Sequence, residues 1–434
     1  MCGQMLGTDR RVLVLALARM ADAVANSFLI VVLPLFIASG GVDISELVGT
    51  SVPVVGLAVT EELLIGVVLS LFGLLNSFGQ PFTGRLSDRT GKRKLYVLLG
   101  LALLAVASLG YLYTDNYTVI VVLRMLQGVG AAFTIPCTIA LVNELATETS
   151  RGGNFGVFNT FRLLGFGFGP VVAGTVVEAG PYRFPVVGGL SGFDAAFLVA
   201  VVGALVSFGL VSLLVSDPEE TKATAGEDLS LAIRDPNGRH LLDPVFAIAV
   251  ATLCLSVGIA LFATLQGRIN ARLGQAPVLF GLQFAAVVIA NVVFQIPIGR
   301  ASDRYGRRPF LLVGSALLAP AVLAQGLVTT SAGMLAARTL HGVAVGMVYA
   351  PGLALAGDLT GEGQSGTQLS LLTMAFGLGT ALGPLLSGYL VRFGFVVPFA
   401  FGGALGLVAL VLVYTQVEET LPDAGERTDT VPQD

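Results

Sequence analysis

The most restrictive feature of this chain is an apolar run that keeps returning at bilayer length. Such runs occupy 11–36, 62–83, 95–113, 118–142, 155–177 and 193–215. After a polar gap they resume at 244–266, 277–298, 309–328, 333–356, 366–391 and 395–417. A helix needs about 20 mainly apolar residues to cross the hydrocarbon core. In lipid every backbone N–H and C=O must bond within the protein, so only helices and closed barrels span. Barrel strands alternate apolar and polar residues, whereas these runs are continuous. The expectation is an all-α membrane protein with twelve transmembrane helices.

Composition narrows the function. Hydrophobic residues make up 54% of the chain and charged ones 12%, against about 25% charged in soluble domains. That excludes a soluble enzyme, a disordered protein, a secreted disulfide scaffold and a nucleic-acid binder. Cys2, Cys137 and Cys254 are far apart and form no CxxC or zinc spacing. No nucleotide loop, Ser-His-Asp set or haem signature occurs, so no enzymatic activity, cofactor or metal is expected. The first run is too long for a signal-peptide core and no small-residue cleavage site follows, so it reads as a span.

Charge sets the expected topology. The gap at 216–243 holds seven acids and three bases, and reads as a solvated linker with a short amphipathic helix at Leu229–Ile233. The segment 418–434 holds six acids and one Arg, and reads as a disordered tail. If both termini and the linker are cytoplasmic, sixteen Lys and Arg fall on that side. Four fall opposite, at Arg183, Arg268, Arg272 and Arg392. This positive-inside bias gives a multi-pass cell-membrane protein with both termini cytoplasmic.

The chain also repeats itself. Shifted by 215 residues, Asn76–Arg93 falls on Asn291–Arg308 with Gly84, Arg85, Ser87, Asp88, Arg89, Gly91 and Arg93 meeting Gly299, Arg300, Ser302, Asp303, Arg304, Gly306 and Arg308. A shift of 214 places Arg124 on Arg338, Gln127 on His341, Glu144 on Asp358, and Gly165, Gly169, Pro170 and Gly174 on Gly379, Gly383, Pro384 and Gly388. Two six-span halves in tandem keep the same orientation, which is the arrangement of parallel repeats with a transport site between them. The domains expected are a bundle at 1–215, the linker at 216–243, a second bundle at 244–417 and the tail.

The connection Gly84–Lys94 and its copy at 299–308 resemble the signature loop of the major facilitator superfamily. Arg124-x-x-Gln127-Gly128 is similar to its second motif, Glu144-x6-Arg151 to its charge pair after span four, and Gly165-x3-Gly169-Pro170-x3-Gly174 to the span-five motif of its drug/proton antiporter branch. The resemblance implies two pseudo-symmetric six-helix bundles. It also implies a cytoplasmic charge network of Asp88, Arg89, Glu144 and Arg151 that latches the halves in an outward-open state. Asp303 and Arg304 would do the same in the second half with Asp358. That latch would be looser, because six residues beyond Asp358 stands Ser365 and not Arg. The span-five motif recurs in span eleven, so it reads as close packing as well as antiport.

Four bases fall inside spans: Arg19, Arg124, Arg162 and Arg338. Intramembrane charges are costly and face a cavity or a partner. Arg19, Asp22 and Asn26 share one helical face, and Asp22 is the proton-carrier candidate. Arg162 has Phe376 as its repeat counterpart, which marks it for substrate or proton coupling, with Asp22 as a partner. Arg338 and His341 stand where Arg124 and Gln127 do in the first half. Ser191-Gly-Phe-Asp194 reads as a capping box. Asn76, Gln80, Asn291 and Gln295 read as scaffold or gate hydrogen-bonders.

The functional expectation is a secondary active transporter that exports small hydrophobic compounds by proton antiport, as a monomer, with the solute, protons and the lipid bilayer as partners. The alternative is a proton-coupled importer of a sugar, organic acid or other anion. A non-transporting membrane sensor would need a large partner-binding domain, and the polar segments are too short for one.

Overall fold

The computed structural model describes residues 4–5, 8–52, 57–145, 151–184, 188–217, 233–235, 239–359 and 365–420. Among them, twelve helices are long and apolar enough to cross a membrane. The first six are α1 (Arg10–Phe36), α2 (Glu61–Thr90), α3 (Arg93–Gly110), α4 (Tyr117–Leu145), α5 (Arg151–Ala179) and α6 (Gly192–Leu214). The second six are α7 (Pro244–Thr264), α9 (Pro277–Tyr305), α10 (Arg307–Leu327), α11 (Ser331–Asp358), α12 (Ser365–Leu390) and α13 (Val397–Gln416). A short helix, α8 (Gln266–Leu273), lies between α7 and α9. The amphipathic stretch expected from Leu229 falls outside the described residues, apart from Ile233.

Helix starts follow from local chemistry. Thr60 Oγ1 accepts the Leu63 N–H at α2. Asp243 accepts from Val245 and Phe246 at α7, with Pro244 in the first turn. Ser191 and Asp194 cap each other's backbone at α6. Two hairpins not foreseen from sequence, Ser51–Val52 with Leu57–Ala58 and Tyr182–Phe184 with Gly188–Leu190, lie in connections between spans.

The end of the molecule where α1 starts, α6 finishes and α7 begins is here named the linker end, and the opposite one the far end. Within each bundle the first helix packs on the fifth, α1 on α5 and α7 on α12. Between bundles α2 packs on α12 and α5 on α9. The motif glycines divide along these lines. A Cβ on Gly165 or Gly169 would run into α1, at the Met20 carbonyl or Ser27. One on Gly379 or Gly383 would run into α7, at Ser256 or Ala260. Pro170, Gly174, Pro384 and Gly388 face the other bundle. Gly281 lies on the Pro170 carbonyl and Gly66, its repeat counterpart, on that of Pro384. Gly174 lies on Pro277 and Val278, and Gly388 on the Glu62 carbonyl. With no side chains between them the backbones approach closely, which is how helices associate in lipid.

These filled contacts lie toward the far end, where Glu62 of α2 also pairs with Arg268 of α8. At the linker end a Cβ on Gly84 would meet nothing closer than Pro136 at 3.8 Å, and one on Gly299 would meet nothing within 4 Å. The bundles are sealed at the far end and parted at these linker-end glycines.

Candidate functional site: charges within and below the spans

The connection between spans two and three is shorter than the sequence implied. Helix α2 runs to Thr90, so Gly84 and Asp88 belong to its last turns, and the corner is Gly91 and Lys92. Gly91 has φ 66°, in the left-handed region that favours glycine. In the second half the corner is Gly306 alone, with φ 101°. That one-residue difference is where the repeat shift changes from 215 to 214.

It also changes which arginine does what. Arg93 donates to Asp88 (2.7 Å) and Glu144 (2.8 Å), tying α2, α3 and α4 together. Its equivalent is Arg307, not the sequence-aligned Arg308. Arg307 bonds Asp358 and the Ala354 carbonyl (2.6 Å), and reaches Asp303 at 3.5 Å. The Asp303 side chain is 62% exposed and that of Asp88 36%. Arg89 and Arg304 were expected in these networks. Both are exposed, and Arg304 lies over the Tyr305 ring. Arg151 starts α5, but its side chain lies outside the described residues. Both networks stay within their own bundle, so in this state they do not latch the halves.

The residue after each bridging arginine repeats a second pattern. Lys94 N–H donates to Asp217 and its ammonium to the Ser212 carbonyl. Arg308 N–H donates to Glu419 and its guanidinium to the Tyr414 carbonyl. Thr420 also donates to Asp358. The acidic stretch expected to be disordered from Glu418 is therefore tied down through Thr420, and 421–434 lie outside the described residues.

Inside the first bundle, Arg19 and Asp22 form an ion pair with 12% and 8% side-chain exposure. Asp22 lines two small cavities. One lies toward Thr134, Thr138 and Ser207; the other extends past Asn26 to Ser108 and Gln127. Gln127 accepts from Arg124 (2.9 Å) and from the Tyr111 hydroxyl (3.1 Å), and donates to Ser108 (3.0 Å). Arg124 lies over the Phe72 ring at 4.5 Å. The Asn26 amide oxygen is buried without a partner, an orphan acceptor beside the cavity. Gln80 donates to Asn76 on its own helix, so this pair does not bridge the halves.

The second bundle repeats the arginine but not the acid. Arg338 is fully buried, 4.0 Å over the Phe262 ring, and donates to the Gln283 carbonyl. Gln325 contacts the His341 Nδ1 at 3.1 Å. These residues are closed inside the second bundle, and do not join Asp22 in one cavity as the sequence grouping implied. The packing of Gly165 on Met20 and Ala23, and of Gly379 on Leu253 and Ser256, matches α1 to α7. By that match, Thr252, Leu255 and Ile259 stand where Arg19, Asp22 and Asn26 do.

Arg162 does not pair with Asp22. Its Nε and Nη2 both donate to Asn159 (3.1 and 2.8 Å). It is partly exposed, and Arg19 and Tyr349 of α11 lie within electrostatic reach. Tyr349 packs on Phe376 at 5.3 Å. Arg162 thus lies between the bundles, near Arg19. Sequence reasoning missed Arg307, Tyr349 and the seam glycines Gly66 and Gly281. The last two fall on each other at the 215 shift, which was the signal available.

Two parallel six-helix bundles with polar groups between them are the parallel-repeat arrangement of membrane transporters. The Major Facilitator Superfamily model matches residues 15–270 and 246–432, so the chain belongs to that family, whose members carry small-molecule solutes. It is 22% identical over 356 residues to an uncharacterized MFS-type transporter of Methanocaldococcus jannaschii, covering 82% of this chain and 89% of the relative. It is 25% identical over 234 residues to the quinolone resistance protein NorA of Staphylococcus aureus, covering 54% of this chain and 56% of that one. Among solved structures, the human organic anion transporter MFSD10 matches with a TM-score of 0.65 at 21% identity, over 93% of this chain and 99% of that chain.

Proposed function

We propose that this chain is a proton-coupled secondary transporter of small amphipathic solutes, with Asp22 as the proton carrier and the linker end in the cytoplasm of the cell membrane. The monomer is the working unit, and the state described is inward-open. One observation carries the reading. Asp22 is a buried carboxylate whose ion-pair partner, Arg19, lies near a second guanidinium, Arg162. Protonating Asp22 dissolves the pair and leaves two like charges within electrostatic reach of each other, with no acid between them. That repulsion acts between α1 and α5 within the first bundle and alters the face this bundle turns toward the second. Asn26, Ser108 and Gln127 give the proton a polar route toward Arg124. On closure at the linker end, Gly84 and Gly299 provide the approach surfaces. The exposed Arg89, Asp303 and Arg304, with the half-buried Asp88, supply charges for the latch.

Two coupling directions have support. Export by antiport is supported by the likeness to the quinolone resistance protein and by the apolar ring pairs Tyr349–Phe376 and Phe166–Phe284. Import together with the proton is supported by the guanidinium excess over carboxylates around Asp22. The test uses proteoliposomes with an imposed pH gradient and a panel of norfloxacin, ethidium and 2-naphthalenesulfonate. Gradient-driven flux of at least one compound is expected, and Asp22→Asn should abolish the drive while leaving binding intact. Flux that remains gradient-driven in Asp22→Asn removes Asp22 from the mechanism.

A further inference from the structure

We propose that the solute is an organic monoanion whose acidic group seats on Arg162 and whose aromatic or bulky apolar body lies against Tyr349 and Phe376. The inference rests on the space between the bundles being the transport path, and it selects the substrate class of that site.

The three other in-span arginines are already accounted for. Arg124 and Arg338 are packed over aromatic rings inside their bundles, and Arg19 is neutralised by Asp22. Arg162 is different. Its only hydrogen-bond acceptor among the described residues is the neutral Asn159 oxygen, which takes Nε and Nη2. The Nη1 edge is left to bind an incoming oxyanion, and a guanidinium fork matches a carboxylate or sulfonate. The scaffold does not require a cation here, since the repeat places Phe376 at the matching position. The second bundle supplies an aromatic wall instead, with Tyr349 and Phe376 5.3 Å apart and the Tyr349 hydroxyl in reach of the same charge. One bundle offers the cation and the other the apolar surface, which together fit an amphipathic anion.

The charges also fix the sign of coupling. With Asp22 ionised, Arg19, Arg162 and Asp22 sum to one positive charge; with Asp22 protonated they sum to two. An anion therefore binds better when the proton is bound, and the two travel together. One proton with one monoanion moves no net charge, so transport follows the pH gradient and ignores the membrane potential.

The experiment compares 2-naphthalenesulfonate with 2-naphthalenesulfonamide and 2-naphthyltrimethylammonium. The sulfonate stays ionised at working pH and does not leak across lipid as a neutral acid. The chain has no Trp, so naphthalene fluorescence reports binding against a tyrosine-only background. Wild type is expected to bind the sulfonate about tenfold or more tightly than the sulfonamide, and to accumulate it under a pH gradient with the potential clamped by potassium and valinomycin. Arg162→Gln should erase the preference while retaining sulfonamide binding, and Arg162→Lys should restore part of it. Equal binding of sulfonamide or ammonium by wild type, which needs no variant to fold, overturns the inference. So does an unchanged preference in Arg162→Gln. If the preference holds and no compound responds to the gradient, the solute class stands and the proton-coupling reading falls.

Discussion

The two bundles share a scaffold and differ in charge. Both pack their first helix on the glycines of their fifth, and both set a glycine on the proline carbonyl of the opposite bundle. Both also bury one arginine over an aromatic ring and cross-brace the linker end through one arginine. The acid and the two remaining in-span arginines belong to the first bundle alone. Where it has Arg19, Asp22, Asn26 and Arg162, the second has Thr252, Leu255, Ile259 and Phe376. Under the proposed function, repeated features would serve a rocking motion, which needs equivalent seams on both sides. Unrepeated features would serve the cargo, which is not symmetric. In a medium where each unpaired charge costs several kcal/mol, a charge that the repeat does not demand is the strongest mark of function in the molecule.

That comparison can be broken by moving the charge. Leu255→Asp should lower the yield of folded protein, because an unpaired acid at a helix centre costs about 2.5–3.5 kcal/mol on insertion scales. It should not restore gradient-driven flux to an Asp22→Asn background; restoration would show that the bundles are interchangeable. The buried arginines sharpen the comparison next. Arg338→Gln should reduce thermal stability by about 2 kcal/mol through loss of its ring contact and leave proton coupling intact. Arg124→Gln, reaching the Asp22 cavity through Gln127, should impair coupling as well. Gly66→Ala and Gly281→Ala should behave alike, since each Cβ strikes a proline carbonyl. Both should open the far end, raising far-side labelling of a cysteine placed at Phe376, and unequal effects would argue against equivalent seams. The smallest effect is expected from Glu62→Gln. A partly exposed pair is worth about 0.2–1 kcal/mol, so labelling at Phe376 should rise only slightly, and less so at high salt.

Much of this was legible in the sequence. The twelve spans follow from run length, and the two bundles from the repeat. The Ser191–Asp194 cap follows from spacing alone. The sequence misled at the span-eight corner, where an ungapped alignment set Arg308 on Arg93. Both Arg307 and Arg308 are basic, so residue identity could not reveal a one-residue deletion, although the change of shift from 215 to 214 recorded it. Grouping all in-span charges in one cavity failed for a different reason. Helical spacing tells which residues share a face, but not whether that face turns into its own bundle, as at Asp22 and Arg338, or toward the other, as at Arg162. Tyr349 comes within electrostatic reach of Arg162 from 187 positions away and leaves no local signal.

The central claim is that Asp22 binds and releases the transported proton. Infrared difference spectra of the protein in lipid, taken between alkaline and acid pH, test it without any solute. The account predicts a carbonyl band of a buried protonated carboxyl that persists in Arg338→Gln and disappears in Asp22→Asn. An unchanged band in Asp22→Asn would contradict it.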